Sequence, residues 1–369
     1  MSSPAPLRTP DLLYGETEED LRAALRSLLT DQCDPAHVLA GAERGAALDE
    51  RLWTSLADMG LPGLLVPEKL GGQGAGHREA AVVLEELGRT VAPVPFLTSS
   101  VIATETLLAC DTGQEYVAGL LRELGAGRVR AALAVPFTAG PDDVTPLPGP
   151  QGTVRAVAGA LGAGVLLVPT EQGLYAVDTE PADLTPLTSL DLTRPLADVR
   201  VEPGRATLVA DAATARAAVR RGLLAGAGLL ASEQLGVAEW CLTEAVRHTR
   251  ERHQFNRPVG SFQALKHRMA QLWLEIVNAR AAARNAADAL AADDPEIPLA
   301  VALAQAYCSR VAVHAAEECV QLHGGIGMTW EHPAHLSLKR AKTDQVGLGS
   351  AGRHREALAA LAGLPGPEA

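Results

Sequence analysis

From about Asp211 almost to Leu364 the chain reads as helix, interrupted only around Pro258 and at Asp293-Asp294-Pro295. Proline removes a backbone donor and clashes with the preceding turn, so these points divide the stretch into separate helices. The pattern predicts one long helix from about Thr214 to Glu251, a second from Phe262 to Ala291 and a third from Pro298 to Leu322, with a shorter fourth from about Gly352. Alanine and leucine dominate them. Apolar helices of this length must bury against one another, which predicts a helical bundle. No internal repeat of solenoid period is present, and the Pro-Gly tail after Leu364 is expected to fray.

Upstream the texture differs. Thr17 with Asp20 reads as a weak capping box for a helix whose Leu21, Leu25, Leu28 and Leu29 form one buried stripe. Asp49 can cap a second helix carrying Leu52, Trp53 and Leu56 that ends near Gly60. A turn-rich loop from Val66 to Gly72 leads to a third helix, Arg78 to Gly88, and a fourth lies around Ile102 to Leu108. From about Gly127, short apolar runs at Ala131 to Val135, Val165 to Val168 and Leu174 to Val177 are set apart by Gly, Pro, Asp and Thr, as in a small β-domain that ends near Val201 to Gly204. The predicted fold class is α+β, mainly α. It comprises an N-terminal helical domain (1–126), a middle β-domain (127–208) and a C-terminal four-helix bundle (209–364).

Composition excludes several classes. At 369 residues and 38.4 kDa the chain can bury a sizeable core. A net charge of -12 argues against a broad nucleic-acid footprint, so any phosphate-bearing ligand needs local cations. No run reaches the roughly 18 uninterrupted apolar residues of a membrane span, and Met1 to Pro6 shows no basic-then-apolar export pattern. The expectation is a cytoplasmic protein without membrane or nucleic-acid partners. Five dispersed cysteines, at 33, 110, 241, 308 and 319, read as reduced core thiols. Isolated Asp11, His37, His77, His267 and His314 have no metal-ligand spacing. A Gly-x-Gly-x-x-Gly turn and a nucleophile elbow are both missing.

The chemistry-bearing residues cluster late. Arg252 to Gln263 runs Arg-His-Gln-Phe-Asn-Arg-Pro-Val-Gly-Ser-Phe-Gln, and Gln321-Leu322-His323-Gly324-Gly325 stands downstream. Together they supply a cation, a flat ring, amides and backbone free of side chains, which suits a large cofactor with a pyrophosphate and an aromatic base. Taken singly, Arg252 within the cluster Arg247, Arg250, Arg252 and Arg257 reads as a solvated arginine, and Gly324-Gly325 as a helix C-cap. Jointly, and with Thr329-Trp330-Glu331-His332 behind them, these elements resemble the flavin-binding half of the acyl-CoA dehydrogenase family. The resemblance covers nearly the whole chain.

That resemblance implies FAD as cofactor and α,β-dehydrogenation of an acyl-CoA thioester, with an electron-transfer acceptor and assembly as a tetramer through the bundle. It implies that Arg252 faces the pyrophosphate of a neighbouring subunit's cofactor, with Phe255 packed nearby. Gln263, Gln321, Gly324 and Gly325 would meet the ADP half, the glycines letting backbone approach. The reaction needs a carboxylate base and a wall for the flavin ring, and here the sequence departs from the family pattern. After Arg340-Ala341-Lys342, Leu348 stands where the usual Glu would be. The alternative base position on the first long helix falls at about Gly226 or Ala227. Glu233, seven residues on and two turns along the same face, is the nearest candidate catalytic carboxylate, although it also reads as a polar helix contact; Glu331 is a second candidate. Ala134 to Thr138 and Ala163 to Leu167 replace the ring-contacting elements, and all tryptophans lie outside the middle domain.

Three readings are open. The chain is a complete dehydrogenase with a relocated base such as Glu233, or the base-lacking partner subunit of a heteromeric enzyme, or a scaffold without flavin. The pattern of losses favours the second, similar to the short subunits that act on steroid side-chain CoA thioesters, whose wording is shared from His323 to His332.

Overall fold

A computed structural model describes residues 8–46, 48–180, 183–202 and 206–364. The N-terminal domain is built from α1 (Glu16–Gln32), α2 (Pro35–Glu43), α3 (Glu50–Asp58), α4 (His77–Thr90), α5 (Thr104–Leu108) and α6 (Glu115–Gly125). Its first helix is capped not from Thr17 but two residues earlier, where the Gly15 N–H donates to Glu18 at 2.9 Å. Asp49 does cap α3, accepting from the Leu52 N–H at 3.0 Å. The segment expected to be helical around Ile102 starts sooner, as a fully buried π-helical stretch Phe96–Ala103 that runs into α5. Two helices have no counterpart in the sequence pattern. The first is α2, which opens on the Asp34 cap followed by Pro35, a proline tolerated in the first turn, and the second is α6.

The β-domain consists of two small sheets. Strands β1 (Ala131–Leu133), β3 (Val165–Thr170), β4 (Gly173–Asp178) and β7 (Ala206–Asp211) form one in the order β1-β3-β4-β7, in which only β1 and β3 run parallel. Strands β2 (Gly152–Ala158), β5 (Asp183–Leu187) and β6 (Leu196–Val201) form the other, in the order β2-β6-β5. The first sheet is covered on both sides. Leu166 and Val168 meet Val154, Val157 and Val199 of the second sheet, while Val165 and Leu167 join the main core. A strand buried on both faces reads as a continuous apolar run, which is why β3 is legible in the sequence. Strands β2, β5 and β6 carry polar and half-exposed residues and present no such run. The pairing of β7 with β4 carries the domain to Asp211, slightly past the expected 208; Pro203 and Gly204, part of the expected end, lie outside the described residues.

The bundle matches the sequence pattern closely: α7 (Ala212–Glu251), α8 (Gln263–Ala291) and α9 (Ile297–His323) are the long helices. The fourth helix is α11 (Ala351–Leu361), laid along α9, and an additional helix, α10 (Ala334–Asp344), precedes it. Helix α9 with the turn after it is long and apolar enough to cross a bilayer by composition alone, but 67% of its most apolar window is buried inside the bundle. Helix α7 is the axis of the molecule. Every residue from Gly222 to Ala238 is buried, and α4, α8, α9 and the β-domain all pack on it.

That closeness depends on glycine. A Cβ at Gly236 would stand 1.9 Å from the Glu85 carbonyl oxygen of α4, and one at Gly88 would stand 2.2 Å from the Glu233 carbonyl oxygen of α7. Backbone cannot yield as a side-chain tip can. Gly236→Ala is therefore expected to destabilise the protein by about 1–3 kcal/mol or more in urea unfolding. The control Gly41→Ala, where a Cβ meets nothing within 4 Å, is expected to be neutral or stabilising by up to about 1 kcal/mol.

Candidate functional site

The end of the bundle where α7 and α9 terminate and α8 begins gathers the predicted cofactor residues. The Arg252 N–H closes α7 on the His248 carbonyl at 2.9 Å, and the Arg252 carbonyl accepts from Val259 at 2.7 Å. Between these bonds lies a two-stranded hairpin, β8 (His253–Gln254) and β9 (Arg257–Pro258). Both turn residues, Phe255 (φ 53°) and Asn256 (φ 59°), are left-handed, the mirror-image turn that suits the twist of paired strands. This turn thrusts the Phe255 ring outward, 85% exposed, with only an edge contact to Phe262 at 6.1 Å. Arg252 is exposed too. Its sequence neighbour Glu251 is taken by Arg247 at 2.6 Å, so among the described residues no adjacent carboxylate neutralises it. Gln263 opens α8 and is exposed.

Helix α9 ends beside this hairpin, the His248 and His323 rings stacking with centroids 4.2 Å apart. Gln321 is exposed in its last turn, and its carbonyl accepts the Gly324 N–H. Gly324 takes φ 63° and ψ -143°, and a Cβ at Gly324 or Gly325 would meet nothing within 4 Å. The glycines are therefore not there to fit this chain's own packing. They leave bare backbone exposed at the end of the bundle that also carries Arg252 and Phe255.

The base pocket is the opposite. Leu348, in the turn after α10, is 2% exposed; its N–H donates to the Phe137 carbonyl at 2.8 Å and its carbonyl accepts from His354 at 3.0 Å. The Phe137 ring lies against Gly347, where a Cβ would come within 2.6 Å of it. The alternative base position converges on the same spot: a Cβ at Gly226 would lie 2.6 Å from Ile102 Cγ1 and 3.2 Å from Leu348 Cδ1. The space left among Ile102, Leu133, Phe137, Leu223 and Leu348 is about 20 Å³. That is room for one water at most. A larger cavity, about 320 Å³, opens nearer the start of α7 beside Arg216 and Arg220 and contains none of the predicted site residues.

Glu233 has a different task from the catalytic one expected of it. It is 2% exposed, and its Oε1 is gripped by both Arg194 and Arg340. Arg340 also binds Asp191, and its Nη2 donates to Thr193 Oγ1 at 2.8 Å. Burial would raise the Glu233 pKa, but the two guanidiniums overcome it and hold the carboxyl below its usual range. A carboxylate locked this way is a poor proton acceptor, so the geometry gives Glu233 a structural role. Glu331, the other candidate, is exposed in the loop before α10. No local signal marks the cluster in the sequence, because Asp191, Arg194, Glu233, Arg340 and Asp344 come from three distant segments.

The fifth member, Asp344, is fully buried, neither carboxylate oxygen has a hydrogen-bond partner among the described residues, and the nearest cation among them is Arg194 at 3.7 Å. Burial pushes its pKa up to about 8, against the pull of Arg194. Three carboxylates facing two guanidiniums balance if Asp344 keeps its proton. Because its folded pKa lies above the unfolded one, its contribution to stability is complete below about pH 4 and is lost as pH rises through about 8. Asp344→Asn is expected to flatten that decline in urea midpoints measured between pH 5 and 9. Arg340→Met, which strands buried carboxylates, is expected to cost about 3–5 kcal/mol.

Comparison with known proteins bears on this geometry. Residues 15–117 match the acyl-CoA dehydrogenase N-terminal domain, and residues 215–362 the acyl-CoA dehydrogenase C-terminal domain. Acyl-CoA dehydrogenase IpdE2 of Mycobacterium tuberculosis is 36% identical over 327 residues, covering 88% of this chain and 91% of that protein. Among solved structures, the ChsE4-ChsE5 complex from Mycobacterium tuberculosis superposes with a TM-score of 0.83 at 26% identity, covering 96% of this chain and 100% of that one. A variant of the Tcur3481-Tcur3483 steroid ACAD gives a TM-score of 0.83 at 28% identity, covering 96% and 99%.

Proposed function

The chain belongs to the acyl-CoA dehydrogenase family, and on that footing we propose that it is the base-lacking subunit of a heteromeric, FAD-dependent enzyme that desaturates an acyl-CoA thioester. The observation that carries this reading is the packed base pocket. The positions where the family's base is expected, Leu348 and about Gly226 or Ala227, carry no carboxylate, and Leu348 and Gly226 lie close together with Ile102 and Phe137 packed around them. No thioester fits in about 20 Å³, and none of the residues lining that space is a carboxylate.

The nucleotide-side residues fit the cofactor in the complementary way. Arg252, Gln263, Gln321 and the Gly324-Gly325 backbone are exposed at one end of the bundle, with open space over the two glycines that none of the described residues fills. FAD, when bound, supplies the hydride acceptor for the β-carbon. The part of this chain would be to hold the nucleotide. The Arg252 guanidinium would face phosphate oxygens, the amides of Gln263 and Gln321 would hydrogen-bond the ADP half, and Gly324 and Gly325 would let backbone approach. The base and the ring wall would come from a companion chain, together with the acyl pocket and the approach for an electron-transfer acceptor. Two of the similar structures support the division of labour, one being a complex of two chains and the other a steroid ACAD. A bulky polycyclic thioester is accordingly the first substrate to try.

The purified chain alone is expected to reduce no electron acceptor with any acyl-CoA. Co-expression with the product of a neighbouring gene of the same family is expected to yield a yellow, active assembly. In that assembly Arg252→Ala should weaken FAD retention about 10- to 100-fold, the weight of a charged hydrogen bond, as read by flavin absorbance after gel filtration. Robust turnover by the isolated chain, or undiminished flavin in the variant, overturns the reading.

A further inference from the structure

At the joint between the ends of α7 and α9, three imidazoles stack. The His323 ring lies between His248 and His332, its centroid 4.2 Å from each. His323 is 5% exposed and both its nitrogens face oxygen. Nδ1 is 2.7 Å from the Cys319 carbonyl, and Nε2, without any hydrogen-bond partner among the described residues, points at Glu244 Oε1 from 3.6 Å. The Cys319 carbonyl only accepts, which puts an N–H on Nδ1, and the Glu244 carboxylate beside Nε2 favours a second proton there, the imidazolium form. His332 is arranged differently. Its Nδ1 accepts the Ala334 N–H at 3.2 Å, which places its own hydrogen on Nε2, 3.5 Å from the same Glu244 oxygen. One charged ring thus lies between two others, and His323 lowers the proton affinity of both, burial being the larger cause in each.

The other charged and titratable groups described around the joint are Arg247, paired with Glu244 from α7, His335 near His332, Cys241, whose thiol pKa is pushed up by burial, and Cys319, 3.7 Å from His323 Nδ1, whose pKa Cys241 and His323 lower to about 6. A divalent cation here would need lone pairs on Nε2 of both His323 and His332. The Ala334 contact puts hydrogen on the second, and a guanidinium already sits on Glu244.

His323 directly precedes Gly324, where the chain leaves α9. We propose that His323 is a positioning residue: as an imidazolium clamped between the Cys319 carbonyl and Glu244, it fixes the end of α9 and so the presentation of Gln321, Gly324 and Gly325 to the nucleotide half of the flavin. The proposal rests on the reading that these residues contact FAD. Removing the proton leaves a lone pair facing a carboxylate, which repels and loosens the joint. Burial alone would lower the His323 pKa, but Cys319 and the nearby Glu244 carboxylate raise it to about 10. The bound proton belongs to the holding state, so the contribution of the clamp is complete below the ordinary histidine value of 6.5 and is lost as pH rises through about 10.

The test measures FAD dissociation from the companion-containing assembly between pH 7 and 10.5 for wild type, His323→Gln and Arg252→Ala, with histidine 15N spectra of the isolated wild-type chain. Wild type is expected to hold FAD progressively less tightly as pH rises, with the loss complete at the alkaline end. His323→Gln should hold it about tenfold less tightly at pH 7 and lack the alkaline decline. Arg252→Ala should be weaker throughout and keep the decline. If His323→Gln matches wild type in level and slope while Arg252→Ala loses flavin, the proposal falls and the FAD reading stands; if neither variant changes, the FAD reading falls and takes the proposal with it. Should His323→Gln fail to fold, Glu244→Gln and the 15N spectra decide, since a neutral His323 at pH 7, or one equivalent of tightly held zinc, overturns the proposal.

Discussion

Arg340 is the point at which the β-domain is pinned to two helices of the bundle. Its guanidinium, 3% exposed, binds Asp191 and Thr193 from the β-domain and Glu233 from α7, while it sits itself on α10. Removing a charge from water is costly, and only partners placed on several sides offset that cost. The cluster is therefore satisfied in one relative placement of β-domain, axial helix and α10, and the apolar contacts elsewhere are made within that frame.

The turn beyond α10 inherits the placement. Four residues after Asp344, Leu348 is delivered to the inner face of α7 in a left-handed conformation (φ 54°), with its N–H tied to Phe137. Gly226 opposite has no side chain, so Ile102 and Leu348 move in where a carboxylate would otherwise stand. The result is an apolar plug. Dispersion contacts replace the polar cavity that proton abstraction requires, and the same replacement draws the β-domain and bundle together.

The far end of the bundle shows the reverse arrangement. Phe255 and Arg252 are held outward by a hairpin turn strained only where φ is positive, and Gly324 and Gly325 expose backbone that nothing among the described residues covers. Hydrocarbon at the expected base position and open backbone at the far end are what support the proposal that this chain completes a site with a companion. The stacked histidines link the two long helices at that open end, and the ordering of the outward-facing residues depends on them.

Much of this is written in one dimension. Long helices bounded by Pro258 and Pro295 are legible because a helix repeats its burial every turn, and β3 because both of its faces are buried. Arg252, Phe255, Gln263, Gln321, Gly324 and Gly325 are legible as a set because their spacing is local to two short motifs. Strands β2, β5 and β6, with polar outer faces, and helix α2, with its proline start, carry weaker local signals. Leu348 can be seen to lack a proton-accepting group, but not to touch Gly226, since 122 residues separate them in the sequence. The role of Glu233 is likewise out of reach: helical periodicity places a side chain on a face and says nothing of which charges meet it there. The order of residues is thus enough to predict the long helices, to mark the motifs proposed to face a cofactor and to show that Leu348 offers no carboxylate. That Glu233 is spent on Arg194 and Arg340, that the base pocket is closed and that three imidazoles gather at one carboxylate emerge only on folding, because each depends on groups made neighbours by packing alone.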